Sequence, residues 1–223
     1  MPPSTASWVV TDAALLTGNF QSELVGTGAH THLVDNSTLT ELRTGNTATG
    51  YAARRLPDST ITFSATSGTY YYQLRNFTIP VFATTPQGFL TRAGFLDVFN
   101  SAGTVVDGVY FQCNRPTTAA AVFIARANSV ATVVTTTFTP AVGVAYDYLI
   151  SVDRDVTAKL YYRLSAKQAW PNPWGWTLIG TISSGIPTGT ARNTSAGVVI
   201  AKATGTETRS VTFASQVACQ VSE

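Results

Sequence analysis

The feature that most constrains this chain is a side-chain period of two. Ala158-Lys-Leu160-Tyr-Tyr162-Arg-Leu164 alternates apolar with polar or aromatic residues, the pattern of a strand with one face toward a core. No long segment sustains the 3.6-residue apolar period of a helix. Runs rich in β-branched and aromatic residues predict strands over 59–65, 70–79, 89–99, 106–114, 120–127, 131–138, 144–153, 158–164, 176–182, 197–203 and 208–219. In Tyr146-Asp-Tyr148-Leu-Ile150-Ser-Val152, Leu149 interrupts the alternation, so that strand is expected to have one face fully buried and the other partly covered. Asn100-Ser-Ala-Gly103, Asp153-Arg-Asp155, Pro171-Asn-Pro173-Trp-Gly175 and Thr204-Gly205 supply turns between the runs. About ten short strands separated by such turns predict an all-β fold of two packed antiparallel sheets. No linker or repeat interrupts the pattern, so residues 1–223 read as a single β-sandwich domain, with 1–15 as an extended N-terminal arm. Residues 11–16 could form a short helical turn capped by Thr11 or Asp12.

Composition narrows the function. Charged residues are 12% of the chain, against roughly 25% in ordinary soluble domains. Thr and Ser fill the gap, and only three lysines occur, Lys159, Lys167 and Lys202. A surface this poor in cations cannot neutralise a row of phosphates, so nucleic acid is not an expected partner. No apolar stretch approaches the ~18 residues of a membrane helix, so no membrane association is expected. The first residues lack the basic and apolar regions of a signal peptide. Cys113 and Cys219 stand far apart and read as reduced, structural thiols.

Several segments in order resemble a family. They are Leu42-Arg-Thr-Gly45-Asn-Thr47-Ala-Thr49-Gly50-Tyr-Ala52, read as a strand bent at Gly45 and Gly50, then Arg92-Ala-Gly94-Phe95-Leu-Asp97 and Asp107-Gly108-Val-Tyr110-Phe111. Next come Tyr146 to Val152, Ala158 to Arg163, Trp176-Thr-Leu-Ile-Gly180, Ile186-Pro187, Gly197-Val-Val-Ile-Ala-Lys202 and a last strand through Phe213. This order is similar to the concanavalin A-like jelly-roll domains of tailed-phage virion proteins: capsid decoration proteins, head fibres and tail-associated receptor binders. The resemblance covers the chain from about Leu16 onward. It implies a two-sheet jelly roll with a structural or adhesive role and no chemistry. Physically, Gly94 before Phe95 would suit a bulge, and Asp107-Gly108 a turn into an aromatic strand.

Catalytic constellations are missing from the sequence. A glycoside hydrolase needs two facing carboxylates, yet the only glutamates are Glu23, Glu41, Glu207 and Glu223, none with an acidic neighbour at a suitable spacing. Asp153 and Asp155 flank Arg154 at an expected hairpin and read as turn residues. His30 and His32 would share one side of a strand near Asp35, conceivable as two ligands of a metal but more simply a surface pair. No Gly-x-Ser-x-Gly elbow or phosphate-cradling loop occurs. Neither enzyme activity, metal nor cofactor is expected. Asn36, Asn76 and Asn193 begin Asn-x-Ser/Thr triplets, which are expected by chance in so Thr-rich a chain.

Aromatic residues carry the binding signal. Trp170-Pro-Asn-Pro-Trp174-Gly-Trp176 gathers three of the four tryptophans. Trp176 would enter a strand and the core and Trp170 would close the end of the sandwich; alternatively, Trp170 and Trp174 meet a protein or stack on sugar rings. In Tyr70-Tyr71-Tyr72, either Tyr71 is exposed with its neighbours inward, or the reverse. The leading expectation is a non-enzymatic capsid decoration or head-surface protein, homo-oligomeric and located in the virion. Its partners would be the major capsid protein or other virion proteins. The alternative is a receptor- or carbohydrate-binding module of a tail fibre or head spike, touching host surface glycan through Trp170, Trp174 and Tyr71.

Overall fold

The structure is a computed structural model that describes residues 13–15, 21–25, 28–32, 39–56, 61–64, 66, 68–84, 87–99, 105–113, 121–165, 175–189 and 192–221. Sixteen strands lie among them: β1 Ala13–Leu15, β2 Gln21–Val25, β3 Ala29–His32, β4 Thr40–Arg43, β5 Tyr51–Arg55, β6 Thr69–Phe77, β7 Phe89–Leu96 and β8 Gly108–Cys113. The chain continues with β9 Val122–Ala127, β10 Val130–Thr135, β11 Tyr146–Val152, β12 Ala158–Leu164, β13 Thr177–Ile182, β14 Ser195–Lys202, β15 Ser210–Phe213 and β16 Ser215–Val221. All strand pairing is antiparallel, and the strands form three sheets. A six-stranded sheet runs β1-β16-β6-β11-β12-β13, a seven-stranded sheet β10-β9-β8-β7-β14-β5-β2, and a small sheet β15-β4-β3. No helix among the described residues is long and apolar enough to cross a membrane.

The core lies between the two large sheets because alternate residues of both point inward. Tyr72, Leu74, Tyr148, Ile150 and Leu160 come from the six-stranded sheet and meet Ala93, Phe95, Phe111, Phe123, Val198 and Ile200 from the other. Phe95 meets the edge of Phe63 at 5.3 Å between centroids, and Phe111 stacks on Tyr148 at 4.3 Å. Each such buried side chain contributes roughly 1.5–3 kcal/mol relative to exposure. One polar path crosses the core: the Tyr72 hydroxyl donates to Gln216 Oε1 at 3.0 Å, and Gln216 Nε2 donates to the Arg54 carbonyl at 3.1 Å. It joins β6 and β16 of one sheet to β5 of the other.

The all-β sandwich agrees with the sequence pattern, and the run 158–164 is β12 with the same bounds. Leu149 is buried, as its break in alternation implies. Several local expectations are corrected. Ala13–Leu15 is a strand paired with Val221 to Cys219, not part of a helical turn; an open backbone edge supplies hydrogen bonds that a short capped turn lacks. The stretch 42–52 is two strands in different sheets, β4 and β5, joined by a turn. Gly50 closes that turn so tightly that a Cβ there would lie 1.8 Å from the Thr44 carbonyl oxygen. Among its described residues, run 59–65 contributes only the isolated bridges of Ile61 with Thr194 and Phe63 with Thr188. Run 208–219 divides at Ala214: Phe213 pairs with Thr40 of the small sheet, while Ser215 pairs with Arg75 of the six-stranded sheet. Gly94 is not bulged. It pairs in register with Gly197 and Tyr110, at φ 142.

Candidate ligand-binding site

In a two-sheet sandwich the ligand-accessible parts are the outer faces and the loops at the strand ends. On the seven-stranded sheet, β-register places Val133, Ile124, Tyr110, Gly94, Gly197 and Arg55 in one row across the outer face. This face carries its own apolar cluster, including Tyr51, Leu96, Tyr110, Val122, Ile124 and Val199. Phe99 and Val105, from the connection after β7, belong to the same cluster. The glycines make room for them. A Cβ at Gly197 would lie 2.7 Å from Phe99 Cε1, and one at Gly108 would lie 3.1 Å from Val105 Cγ1. Arg55 lies 5.9 Å from the Phe99 ring centroid, and Arg92 lies 6.0 Å from that of Tyr110 while its Nε donates to Gln112 Oε1 at 3.0 Å.

The two ends of the β7–β8 connection are tied by aspartates. The Asp97 amide donates to the Asp107 carbonyl at 3.1 Å, and the Val106 amide donates to both Asp97 carboxylate oxygens at 3.2 Å. Burial, with the neighbouring Asp107 charge adding to it, holds the Asp97 carboxyl above the usual range, opposed by the hydrogen bonds from backbone amides. Asp107 Oδ1 accepts from Arg192 Nη1 at 2.7 Å and from the Asn128 amide at 3.0 Å. The Ser129 amide donates to the Val106 carbonyl at 2.9 Å, and Arg126 Nη1 donates to the Val105 and Ser129 carbonyls. Three connections therefore meet at one end of the sheet: β7–β8, the β9–β10 turn, and β13–β14. They present carboxylates, guanidiniums and the exposed Asn128 and Asn193 in fixed relation. Such a set can donate to and accept from hydroxyl groups.

The outer face of the six-stranded sheet holds Tyr71. Tyr70 and Tyr72 are buried, while Tyr71 is half-buried, between Cys219 and Ser151 in register. Trp176 is half-buried and just precedes β13, so it is not the core residue expected of it. Its ring lies under the Arg163 guanidinium at 4.4 Å. Arg163 Nε donates to Asp147 Oδ2 at 2.9 Å, and Asp147 Oδ1 also accepts from Ser165 Oγ at 2.6 Å and the Asn76 amide at 2.9 Å. Asn76, at φ 54, sits where the β6–β11 register shifts. Strand rise and spacing put Arg163 roughly 16 Å from Tyr71, so one small ligand would not touch both. Trp170 and Trp174 lie outside the described residues.

The other sequence candidates have structural places. Asp153 pairs with Lys159, and Asp155 Oδ1 accepts from the Thr157 amide at 3.0 Å, in the β11–β12 turn. His30 and His32 lie on β3 in register with Leu42 and Thr40; Asp35 lies outside the described residues. Among the described residues, no group of three His, Cys, Asp or Glu could hold a metal ion. Cys113 and Cys219 are free and buried, and burial pushes the Cys113 thiol up to about 12. The sequence pointed to a turn at Asp107-Gly108 but to no binding role for Asp97, Asp107 or Arg192. The available signal was an aspartate at each end of one inter-strand loop.

Together, the sheets and their core define a concanavalin A-like, legume-lectin-like β-sandwich. The chain superposes on a protein of unknown function from Shewanella oneidensis MR-1 with TM-score 0.61 at 15% identity, over 92% of this chain and 80% of that one. It is also similar to the Emp47p carbohydrate recognition domain, with TM-score 0.53 at 9% identity over 95% and 94% of the two chains. A legume lectin-like domain from Entamoeba histolytica gives TM-score 0.56 at 9% identity, over 91% and 90%. No family profile matches the sequence, and no curated protein matches it. Identities this low show a shared fold alone.

Proposed function

We propose that the chain is a non-enzymatic glycan-binding module whose contacts centre on the loops joined at Asp107. The observation that carries this reading is the convergence of Asp97, Asp107, Arg192 and Asn128 from three connections. Carboxylates, a guanidinium and amides fixed by mutual hydrogen bonds suit the neighbouring hydroxyls of a sugar ring, and orientation is prepaid. The Emp47p domain and the Entamoeba domain, named respectively for carbohydrate recognition and legume lectins, support it by fold. Trp170 and Trp174 belong to the reading as flat surfaces for longer glycans, and Tyr71, on the outer face of the six-stranded sheet, as a separate contact. The test is an array of bacterial and host-surface glycans, followed by calorimetry on any hit. Binding that is lost in Asp97→Asn supports the assignment. A blank array, or a hit indifferent to Asp97→Asn, Trp170→Ala and Trp174→Ala alike, overturns it.

A second reading gives the setting: a homo-oligomeric capsid decoration or head-surface protein of a tailed phage, bound to the major capsid protein or other virion proteins. Its support is the ordered motif series from Leu42 through Phe213 and the low-charge, Thr-rich composition. Mass spectrometry of purified phage particles tests it, and absence of the chain from the particles would sink it. The two readings are compatible, since a head-surface protein can bind host glycan.

A further inference from the structure

We propose that β10 is a self-pairing edge, through which two copies of the chain join their seven-stranded sheets across a two-fold axis. The inference is independent of what the loops bind.

Among the described residues both large sheets end in unpaired strands, and edge strands invite pairing unless something blunts them. The other edges are blunted. β1 has three residues, and β3 and β15 have four each. β2 carries Glu23, and β13 is interrupted by a register shift opposite Leu160 and Tyr161. β10 has none of these devices. Its sequence Val130-Ala-Thr-Val-Val-Thr135 has no charge, proline or glycine, and its register with β9 is unbroken from Val130 through Thr135. It is exposed besides: Val130 is 70% and Val133 45% accessible. Among the described residues, no strand pairs with its outer side.

Hairpin geometry says which groups are open. Asn128 and Ser129, at φ 52 and 66, form a two-residue turn with both central residues left-handed. The pair closing such a turn, Ala127 with Val130, is hydrogen-bonded, so Val130, Thr132 and Val134 address β9. Ala131, Val133 and Thr135 then direct their N–H and C=O groups outward. Val133 is the middle of that trio. A two-fold through Val133, perpendicular to the sheet, sets it opposite Val133 of the partner subunit, and Ala131 opposite Thr135 of the partner subunit. Outer-face residues stay on the outer face, so no side chain has to cross the sheet.

The occupant follows from this symmetry. An unsatisfied strand edge needs another strand, and the outward groups are self-complementary about one residue, as an isologous interface requires. Each copy has a formal net charge of +2, so an uncharged contact strip lets like-charged copies meet without opposed charges.

Sedimentation velocity over a concentration series, with hydrogen exchange of the peptide spanning β10, tests the proposal. The expected result is a dimer that forms with concentration and slows exchange at Ala131, Val133 and Thr135. Val133→Lys would set two ammonium groups opposite each other, and Ala131→Pro would remove an outward donor without touching the β9 ladder. Each should weaken the dimer by about ten-fold or more, while an unchanged circular dichroism spectrum reports retained folding. A wild-type chain that stays monomeric with freely exchanging β10 amides overturns the proposal, as does a dimer indifferent to both substitutions. Protection of β10 only on adding a foreign extended peptide would likewise replace the second copy with another partner.

Discussion

The Arg163 guanidinium lies over the Trp176 ring, 4.4 Å from its centroid, and is held there by the buried Asp147 carboxylate. The contact fixes the last residue of the Trp-Pro-Asn-Pro-Trp-Gly-Trp segment to the outer face of the six-stranded sheet. A cation over indole contributes about 0.5–2 kcal/mol, depending on solvation. Removing Asp147 would cost more, because three donors lose their acceptor together.

Arg163→Lys is therefore expected to destabilise the fold by about 1 kcal/mol, since an ammonium cannot both stack and keep the Nε geometry. Asp147→Ala should cost about 3 kcal/mol. Urea unfolding measures both. Equal costs for the two substitutions would contradict the ordering.

Phe99 should behave as a core residue although it comes from a loop. Phe99→Ala is expected to lose about 3 kcal/mol, as a buried aromatic truncation does. Gly197→Ala should also destabilise, by about 2 kcal/mol or more, because its Cβ would strike Phe99 and the Arg54 carbonyl oxygen, each at 2.7 Å. Thermal unfolding of both variants checks this, and a neutral Phe99→Ala would mean that the loop does not cap the sheet.

Asp107 holds Arg192 and Asn128 at once. Asp107→Ala should lower stability by about 2 kcal/mol and speed amide exchange at Asn128, whose N–H loses its acceptor. Exchange elsewhere in the core should stay slow. A uniform rise across all strands would show global destabilisation instead.

Cys113 sets an alkaline limit. Its thiol is raised from an ordinary 9.0 to about 12 by burial on the core face of β8. The unfolded chain releases this proton first as pH rises, so the stabilising contribution is full below 9 and is lost progressively toward 12. The slope from this one group is about 1.4 kcal/mol per pH unit within that window. Cys113→Ala should flatten the alkaline limb of the stability profile by one proton, although it lowers stability at neutral pH. Denaturant melts from pH 8 upward measure it, and an unchanged slope would contradict it.

The strands of the sandwich were the most legible part of the sequence. Runs such as 158–164 and 144–153 carry long alternations, or a single break at Leu149, and periodicity needs no partner to be read. The short strands of the first quarter carried little signal. Ala13–Leu15 and Ala29–His32 are three and four residues long, too short to show a period, and exist because an edge lies beside them. Residues 42–52 misled for a related reason: Thr and Gly fit a bent strand and a tight turn equally well. Trp176 looked like core because aromatics at strand starts usually are, whereas a cation on the outer face of the six-stranded sheet supplies its contact.

The candidate loops were harder to read. Asp107 was visible as a turn residue beside Gly108, Asp97 lay inside the run 89–99 expected to be a strand, and Arg192 lay far along the chain with no motif around it. Their meeting depends on β14 pairing with β7, and β7 with β8, which brings together loops distant in sequence.

By itself, the sequence determined that this chain makes antiparallel strands with little charge on their outward sides, because alternation and β-branched Thr act locally on each residue. Only the tertiary structure decided which strands share a sheet, where the chain crosses between sheets at Ala214, and which aspartates meet an arginine. Those outcomes rest on non-local pairing, where backbone edges and glycine clearances far apart in sequence must fit at once. No window along the chain contains both halves of such a contact.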